Sequence, residues 1–436
     1  MKATGFSRIF WFAKDQIKNL GVKSLISLIF AAIFIVLLPF SWNFPLGKPF
    51  AYGILQMYVS PVLYVTDFGI IGLIIAFLLR GKKEVQYPAE FHRIFWPLLG
   101  LALLAFLFAT FSLNVDLAYY SAFRWLLTAF IFLLIYHLDI PNTQLVTLII
   151  CSLFIQAVVG IIQAIVQRPL GLPGELTLGL DNTRVAALYL TGITWLRSYG
   201  LTFHPNVLGG FLACGLLLLL PRLNRKIYWF TWMIFLAGLI LTFSRSAWVS
   251  AAIIIPLLIL WFIRKSINPI KLNRSRVIYL GIGFGLVLLL FSRQIIARIN
   301  PFSSQAEIGS IVGRVELIRF VVDEIKIDPI TGIGAGNFPV AMLNFNTSDD
   351  PHYVHNIMLL LTAEIGILGG LIWLWLWIYP ALKLQPALKN HDALPIVLVA
   401  TWFAWGIIGL WDSYPWALES GRLFSITLLA LIARES

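Results

Sequence analysis

The sequence is poor in charge, in acidic residues above all, and in cysteine. Charged residues make up 12% of its 436 positions, and 20 Asp and Glu face 32 Lys and Arg. So little charge beside 59% hydrophobic residues excludes a soluble domain of this size. The two cysteines, Cys151 and Cys214, fall inside apolar runs. They exclude a disulfide framework and a cysteine metal site, and read as small core or lipid-facing residues. The chain also lacks an internal repeat and a low-complexity linker, so residues 1–436 are expected to form one membrane domain. A cleavable signal peptide is not expected either. The first apolar run lies too far in, and no small-residue cleavage site follows it.

What the chain has in abundance is the apolar run of about twenty residues, long enough to cross the hydrocarbon core. The fold class is therefore an all-α integral membrane protein with about twelve transmembrane helices. They are expected near 22–40, 60–80, 94–112, 118–137, 143–167, 205–220, 227–243, 246–264, 275–291, 354–380, 394–412 and 417–433. Between the ninth and tenth lies an inserted loop, 292–353. A loop of roughly sixty residues is far longer than the usual helix connection and is expected to carry function.

Orientation follows from Lys and Arg. The N-terminus carries Lys2, Arg8, Lys14, Lys18 and Lys23. Alternate loops then carry Arg80, Lys82, Lys83 and Arg93; Arg222, Arg225 and Lys226; Arg264, Lys265, Lys271, Arg274 and Arg276; and Lys383 and Lys389. With twelve spans all of these share the side of the N-terminus, so both termini are expected in the cytoplasm and the 292–353 loop outside it. The +12 net charge reflects this bias and attraction to anionic headgroups of the bilayer. It gives no reason to invoke nucleic acid.

Against that bias, several arginines lie on the outer face. Arg245 sits in a very short turn, Leu241-Thr242-Phe243-Ser244-Arg245-Ser246-Ala247-Trp248. Arg184 and Arg197 precede Gly200-Leu201-Thr202-Phe203-His204-Pro205-Asn206, and Arg293, Arg298, Arg314 and Arg319 lie in the long loop. Guanidinium binds phosphate oxygens bidentately and stays charged. Arg245, Arg314 and Arg197 are therefore candidates to hold a membrane-anchored diphosphate. The bland alternative is snorkelling to headgroups, and it is the preferred reading for Arg293 and Arg298, which simply follow a span.

The long loop ends in Asp350-Pro351-His352-Tyr353-Val354-His355-Asn356. Asp349 or Asp350 can cap a helix there, with Pro351 at its first position. His352 and His355 then share a face in the first turns, where a helix N-terminus opposes protonation of imidazole. A neutral histidine in that place can take a proton from a sugar hydroxyl. Glu364, nine residues on, is about half a turn out of phase and is not read as a partner of His355. Metal binding by His352, His355 and Asp350 fits the spacing, but no further ligand set is evident, so no metal is assigned. Gly332-Ile333-Gly334-Ala335-Gly336-Asn337 reads as a tight turn folding the loop over the bundle, rather than as a nucleotide loop. Asp67 and Arg124 lie about 10 Å deep by helical rise and can pair across helices.

At this point the ordered motifs resemble a family. Arg197-Ser198-Tyr199-Gly200-Leu201-Thr202-Phe203-His204-Pro205-Asn206 comes first, then Leu241-Thr242-Phe243-Ser244-Arg245-Ser246-Ala247, then Gly313-Arg314. Asp328-Pro329-Ile330-Thr331-Gly332-Ile333-Gly334-Ala335-Gly336-Asn337-Phe338 and His355-Asn356 with Glu364-Ile365-Gly366-Ile367-Leu368-Gly369 complete the set. This set, spanning residues 197–370, resembles the O-antigen ligase and polymerase family, polytopic bacterial glycan transferases of the GT-C class. The resemblance implies an inner-membrane enzyme with its active site on the periplasmic face. Its donor would be an undecaprenyl-diphosphate-linked glycan and its acceptor a glycolipid or other surface sugar, with no metal or cofactor needed. Arg245 resembles the first diphosphate-binding arginine, Arg314 the second, and His355 the proposed catalytic base. Asp412 resembles a functional acidic position, with His352 and Asn356 as possible supports. His355 would deprotonate the acceptor hydroxyl, which attacks the anomeric carbon with inversion. A polymerase joining two lipid-linked repeat units is the alternative within the family. An anion transporter is the competing class, and it calls for midplane charges and repeated halves that the sequence does not show.

Overall fold

In a bilayer, backbone N–H and C=O groups find partners only within their own chain, so long apolar runs must become helices. The computed structural model bears this out over the residues it describes: 22–47, 59–79, 85–176, 185–190, 193–264, 282, 285–300, 302, 304–344, 353–382 and 392–435. In chain order these form α1 (Val22–Leu37), β1 (Asn43–Pro45), β2 (Val62–Tyr64), α2 (Val65–Leu79), α3 (Ala89–Phe108), α4 (Val115–Tyr136) and α5 (Asn142–Val166). There follow β3 (Ala187–Leu190), β4 (Ile193–Leu196), α6 (Pro205–Leu219), α7 (Lys226–Leu241), α8 (Arg245–Arg264), α9 (Ser292–Ile299), α10 (Gln305–Ile327) and α11 (Phe338–Asn344). The last are α12 (Ile357–Leu382), α13 (Ala393–Gly409), α14 (Tyr414–Ala417) and α15 (Glu419–Arg434). β1 pairs with β2 and β3 with β4, each as a short antiparallel ribbon.

Among the described residues, six helices are long and apolar enough to cross a membrane: α3, α4, α5, α6 with the turn that extends it, α8 and α12. α1, α2, α7 and α13 are shorter apolar helices. Every expected span overlaps described helical residues; in the ninth, 275–291, these are 282 and 285–290, and 275–281, 283 and 284 lie outside the described residues. α15 departs from the apolar pattern. It carries Glu419, Arg422 and Arg434, yet it is buried from Glu419 through Ala433.

α6 is the centre of the bundle, with all fifteen residues buried. Its glycines let neighbours approach: a methyl group on Gly210 would meet Trp405 and Tyr414, and one on Gly215 would meet Phe235. Small residues at such crossings are how membrane helices gain close van der Waals contact.

The segment expected as an inserted loop is largely helical. α10 buries Leu317, Val321 and Glu324, spaced four and three apart, which is one helical face. Leu317 and Val321 pack with Phe338, Met342, Val354 and Leu360 in a core of their own. The glycine turn expected after Asp328-Pro329 has a definite seat. α12 is broken at Ile365 and Gly366, the latter at φ 76° and ψ 177°. The break leaves backbone groups without helical partners. Ile333 and Gly334 N–H donate to the carbonyls of Ala363 and Glu364 at 2.8 Å each, and Ile367 N–H donates to Pro329 carbonyl at 2.9 Å. The Glu364 side chain accepts from the backbone N–H groups of Gly336 and Phe338. The turn's amides are thus directed at the chain's own carbonyls and carboxylate.

The pairing expected between Asp67 and Arg124 is present at 2.9 Å. It is part of a larger cluster: Arg124 also meets Glu419 at 2.5 Å, and Glu419 meets Arg422.

Candidate active site

One end of the bundle gathers the ends of four segments and the middle of a fifth. Arg245 is the first residue of α8. It follows a turn in which Phe243 takes φ 50°, an unusual value for a bulky side chain. Asn206 is at the start of α6, just after its cap, and Arg314 is midway along α10. His355 and Asn356 precede α12, and Asp412 follows α13.

The expected capping by Asp349 or Asp350 is corrected here. Those two residues, Pro351 and His352 lie outside the described residues, and the helix starts later, at Ile357. Its cap is Asn356, whose side-chain oxygen accepts from Leu359 N–H at 3.0 Å while its amide donates to Leu410 carbonyl at 3.1 Å. His355 therefore stands before the helix rather than in its first turns, and its close electrostatic partner is a carboxylate.

That carboxylate is Asp412, which is 3% exposed. His355 Nδ1 lies 3.1 Å from its Oδ1. Ser246 hydroxyl donates to Oδ2 at 2.6 Å, Asn206 amide donates at 3.3 and 3.4 Å, and Arg314 Nη2 lies 3.7 Å from Oδ1. Burial pushes the carboxyl pKa up. The hydrogen bond and charge of His355, the charge of Arg314 and the Ser246 hydroxyl outweigh it, and hold the group well below the usual carboxylate range. An ionised Asp412 accepts only, so His355 donates to it from Nδ1.

Arg245, Ser246, Arg314, His355 and Asn356 line one cavity of about 450 Å³. Val249, Ile311, Val315, Ile318, Leu410 and Trp411 form its apolar wall. Ile311, Val315 and Ile318 lie on the same face of α10 as Arg314 and are exposed. Arg245 and Arg314 side chains are each 27% exposed, so both guanidiniums reach the cavity. Arg245 is steadied by Glu307 at 3.3 Å.

The third candidate arginine is placed otherwise. Arg197 is 4% exposed and is not among the cavity residues. Its Nε donates to Thr242 carbonyl at 2.7 Å and its Nη2 to Asn206 Oδ1 at 2.6 Å. It orients the amide that holds Asp412. Arg298, read from the sequence as a headgroup-facing residue, is also internal. It donates to Phe243 carbonyl at 2.8 Å and pairs with Glu307. Both arginines tie the Leu241–Arg245 turn in place by meeting the Thr242 and Phe243 carbonyls.

Sequence reasoning missed Asn206, Ser246 and Glu307 as parts of the site. The first two stand inside the quoted motifs, and a buried carboxylate needing donors was the signal that could have found them. Glu307, in the first turn of α10, had no local signal.

Residues 230–374 match a protein family described as O-antigen ligase. The match takes in Arg245, Arg314 and His355 and ends before Asp412. No curated protein matches the chain.

Proposed function

We propose that the chain moves an undecaprenyl-diphosphate-linked glycan onto an acceptor sugar, in keeping with the match of residues 230–374 to the O-antigen ligase family. The observation that carries this reading is the union, in one cavity, of a His355–Asp412 pair, two guanidiniums and an apolar wall. Arg245 and Arg314 bind the diphosphate and neutralise the charge it gains on leaving. The apolar face of α10 lies along the lipid carrier. The acceptor hydroxyl gives its proton to His355 Nε2 and its oxygen bonds to the anomeric carbon. The bond from that carbon to the phosphate oxygen breaks on the opposite side, its electron pair leaving with the diphosphate, so the linkage inverts. Asp412 keeps Nδ1 protonated and balances the imidazolium that forms. The site lies on the periplasmic face of the bacterial inner membrane.

The test is transfer by purified protein in lipid nanodiscs, using lipid-linked glycan and a panel of glycolipid acceptors. Arg245→Lys should keep partial activity and Arg245→Ala very little, because lysine keeps the charge but loses the bidentate fork. Arg314→Ala should resemble Arg245→Ala, with donor binding weakened in both. Undiminished transfer by Arg245→Ala would sink the reading. Ladders of lengthened lipid-linked glycan without any acceptor would identify polymerisation instead.

A further inference from the structure

A helix in water turns its polar residues outward, and α9 does the reverse. Gln294 and Arg298 are buried, with Arg298 bonded to Phe243 carbonyl and to Glu307. Ile296 and Ile299 are 65% and 62% exposed, and Phe302, just beyond the helix, is 78% exposed. This outward apolar face continues one that precedes it. Leu286, Leu289 and Leu290 are exposed as well and belong to the expected ninth span, which α9 follows directly. α10 carries a second such surface. Ile311, Val315, Ile318 and Val322 are exposed at spacings of four, three and four, which makes one stripe along the helix. About a quarter turn further round, Glu316, Arg319, Asp323 and Lys326 are exposed as a polar face.

The partners of these helices fix their depth. Glu307 meets Arg245, the first residue of the candidate span α8, and Arg314 meets Asp412 just after α13. Leu317 and Val321 pack with Val354 and Leu360, around the start of the candidate span α12. From Glu307 to Val321, roughly 21 Å of helix, α10 therefore stays at the level where apolar helices end. It crosses that end of the bundle instead of rising away from it. Arg298 pins α9 to the same level, because Phe243 stands two residues before α8. Span ends lie at the membrane–water interface. There an apolar stripe beside a charged face meets acyl chains on one side and headgroups and water on the other. Arg293, exposed three residues before Ile296, offers its charge to lipid phosphates.

We propose that α9 and α10 form an interfacial collar, with Ile296, Ile299, Phe302 and the α10 stripe seated among lipid acyl chains at the site's end of the bundle. The occupant follows from continuity: the exposed leucines before α9 belong to a span, and the exposed side of a span meets lipid. Part of the segment that the sequence predicts as an inserted loop outside the membrane is thus bedded in the bilayer. Ile311, Val315 and Ile318 also line the cavity that holds Arg245 and Arg314, so the cavity wall and the embedded stripe are one surface. The inference stands on exposure and packing and is independent of the transferase reading.

The experiment is spin-label EPR on the full chain in lipid nanodiscs, in a Cys151→Ser background. Labels are placed one at a time at Ile296→Cys, Phe302→Cys, Val322→Cys, Glu316→Cys and Asp323→Cys. All five side chains are exposed, so the labels displace no packing. Oxygen concentrates among acyl chains and a nickel chelate stays in water. The ratio of oxygen to nickel collisions should be at least about fivefold higher at 296, 302 and 322 than at 316 and 323. Equal ratios at all five positions would put the apolar face in water. Labels at 296 and 322 shielded from both reagents would put a protein there, a second copy or another chain. Either result would overturn the collar. Neither would touch the transferase reading, which stands or falls on glycan transfer by Arg245→Ala.

Discussion

Asp412 holds His355, Ser246, Asn206 and Arg314 at once, so changes around it should separate base from scaffold. His355→Gln keeps hydrogen bonding but has no titratable nitrogen. Its transfer rate should fall by roughly 10²–10⁴ with donor binding retained. Near-normal turnover would remove His355 as the base and leave departure driven by the arginines alone. A second histidine gives a pH signature of its own. His204 caps α6, accepting from Asn206 N–H at 3.1 Å, and it is half-buried. Burial first, then the charge of Arg197, pushes its pKa down from 6.5 to about 3. The folded group therefore stays neutral while the unfolded one gains a proton below 6.5. The sign follows: its contribution is whole above 6.5 and is lost as the pH falls from there toward about 3. Thermal stability should decline across that window, and His204→Asn, which keeps a capping oxygen, should flatten the decline. An unchanged slope in the variant would assign the acid sensitivity to other groups.

At the scale of elements, the break in α12 and the glycine turn that seals it are one device. Gly366 has a backbone conformation open to almost no other residue, and a methyl group on it would run into the Ile330 carbonyl. Gly366→Ala should cost about 1–3 kcal/mol from the backbone alone, and more from the collision. The variant should show a lowered melting temperature in detergent and loss of transfer. A melting temperature equal to that of the native protein would show that the turn does not depend on the break. The same seal explains the position of the site, since α10, joined to the turn, brings Arg314 to within 3.7 Å of Asp412. Periodicity announced the helices but not this joint. A broken helix in an apolar run has the same hydropathy as an unbroken one.

At the scale of the whole molecule, the candidate site occupies one end of the bundle, and the loops that carry the expected positive bias are elsewhere in the chain. The bias predicts that this end faces the periplasm. Ser310 is exposed on α10, Cys214 is buried and Cys151 is exposed on a candidate span. In a Cys151→Ser background, Ser310→Cys should react with a membrane-impermeant maleimide added to intact spheroplasts. Labelling only after permeabilisation would reverse the topology and move the site to the cytoplasm.

Composition and apolar run length alone determined the class, because a backbone in lipid has no alternative to helix. Local motifs also marked Arg245, Arg314 and His355, since a charge set against the topology bias, or at the edge of an apolar run, stands out in one dimension. Asp412 was legible only as an acidic residue at a span end. Its bonds to Ser246, Asn206 and His355 join positions 166, 206 and 57 apart in the chain. Tertiary structure decided that Arg197 and Arg298 face inward to carbonyls while Arg245 and Arg314 face the cavity. All four are the same residue type near the same end of the bundle. What separates them is which backbone groups and carboxylates lie within hydrogen-bond reach, and only the packed helices set those distances.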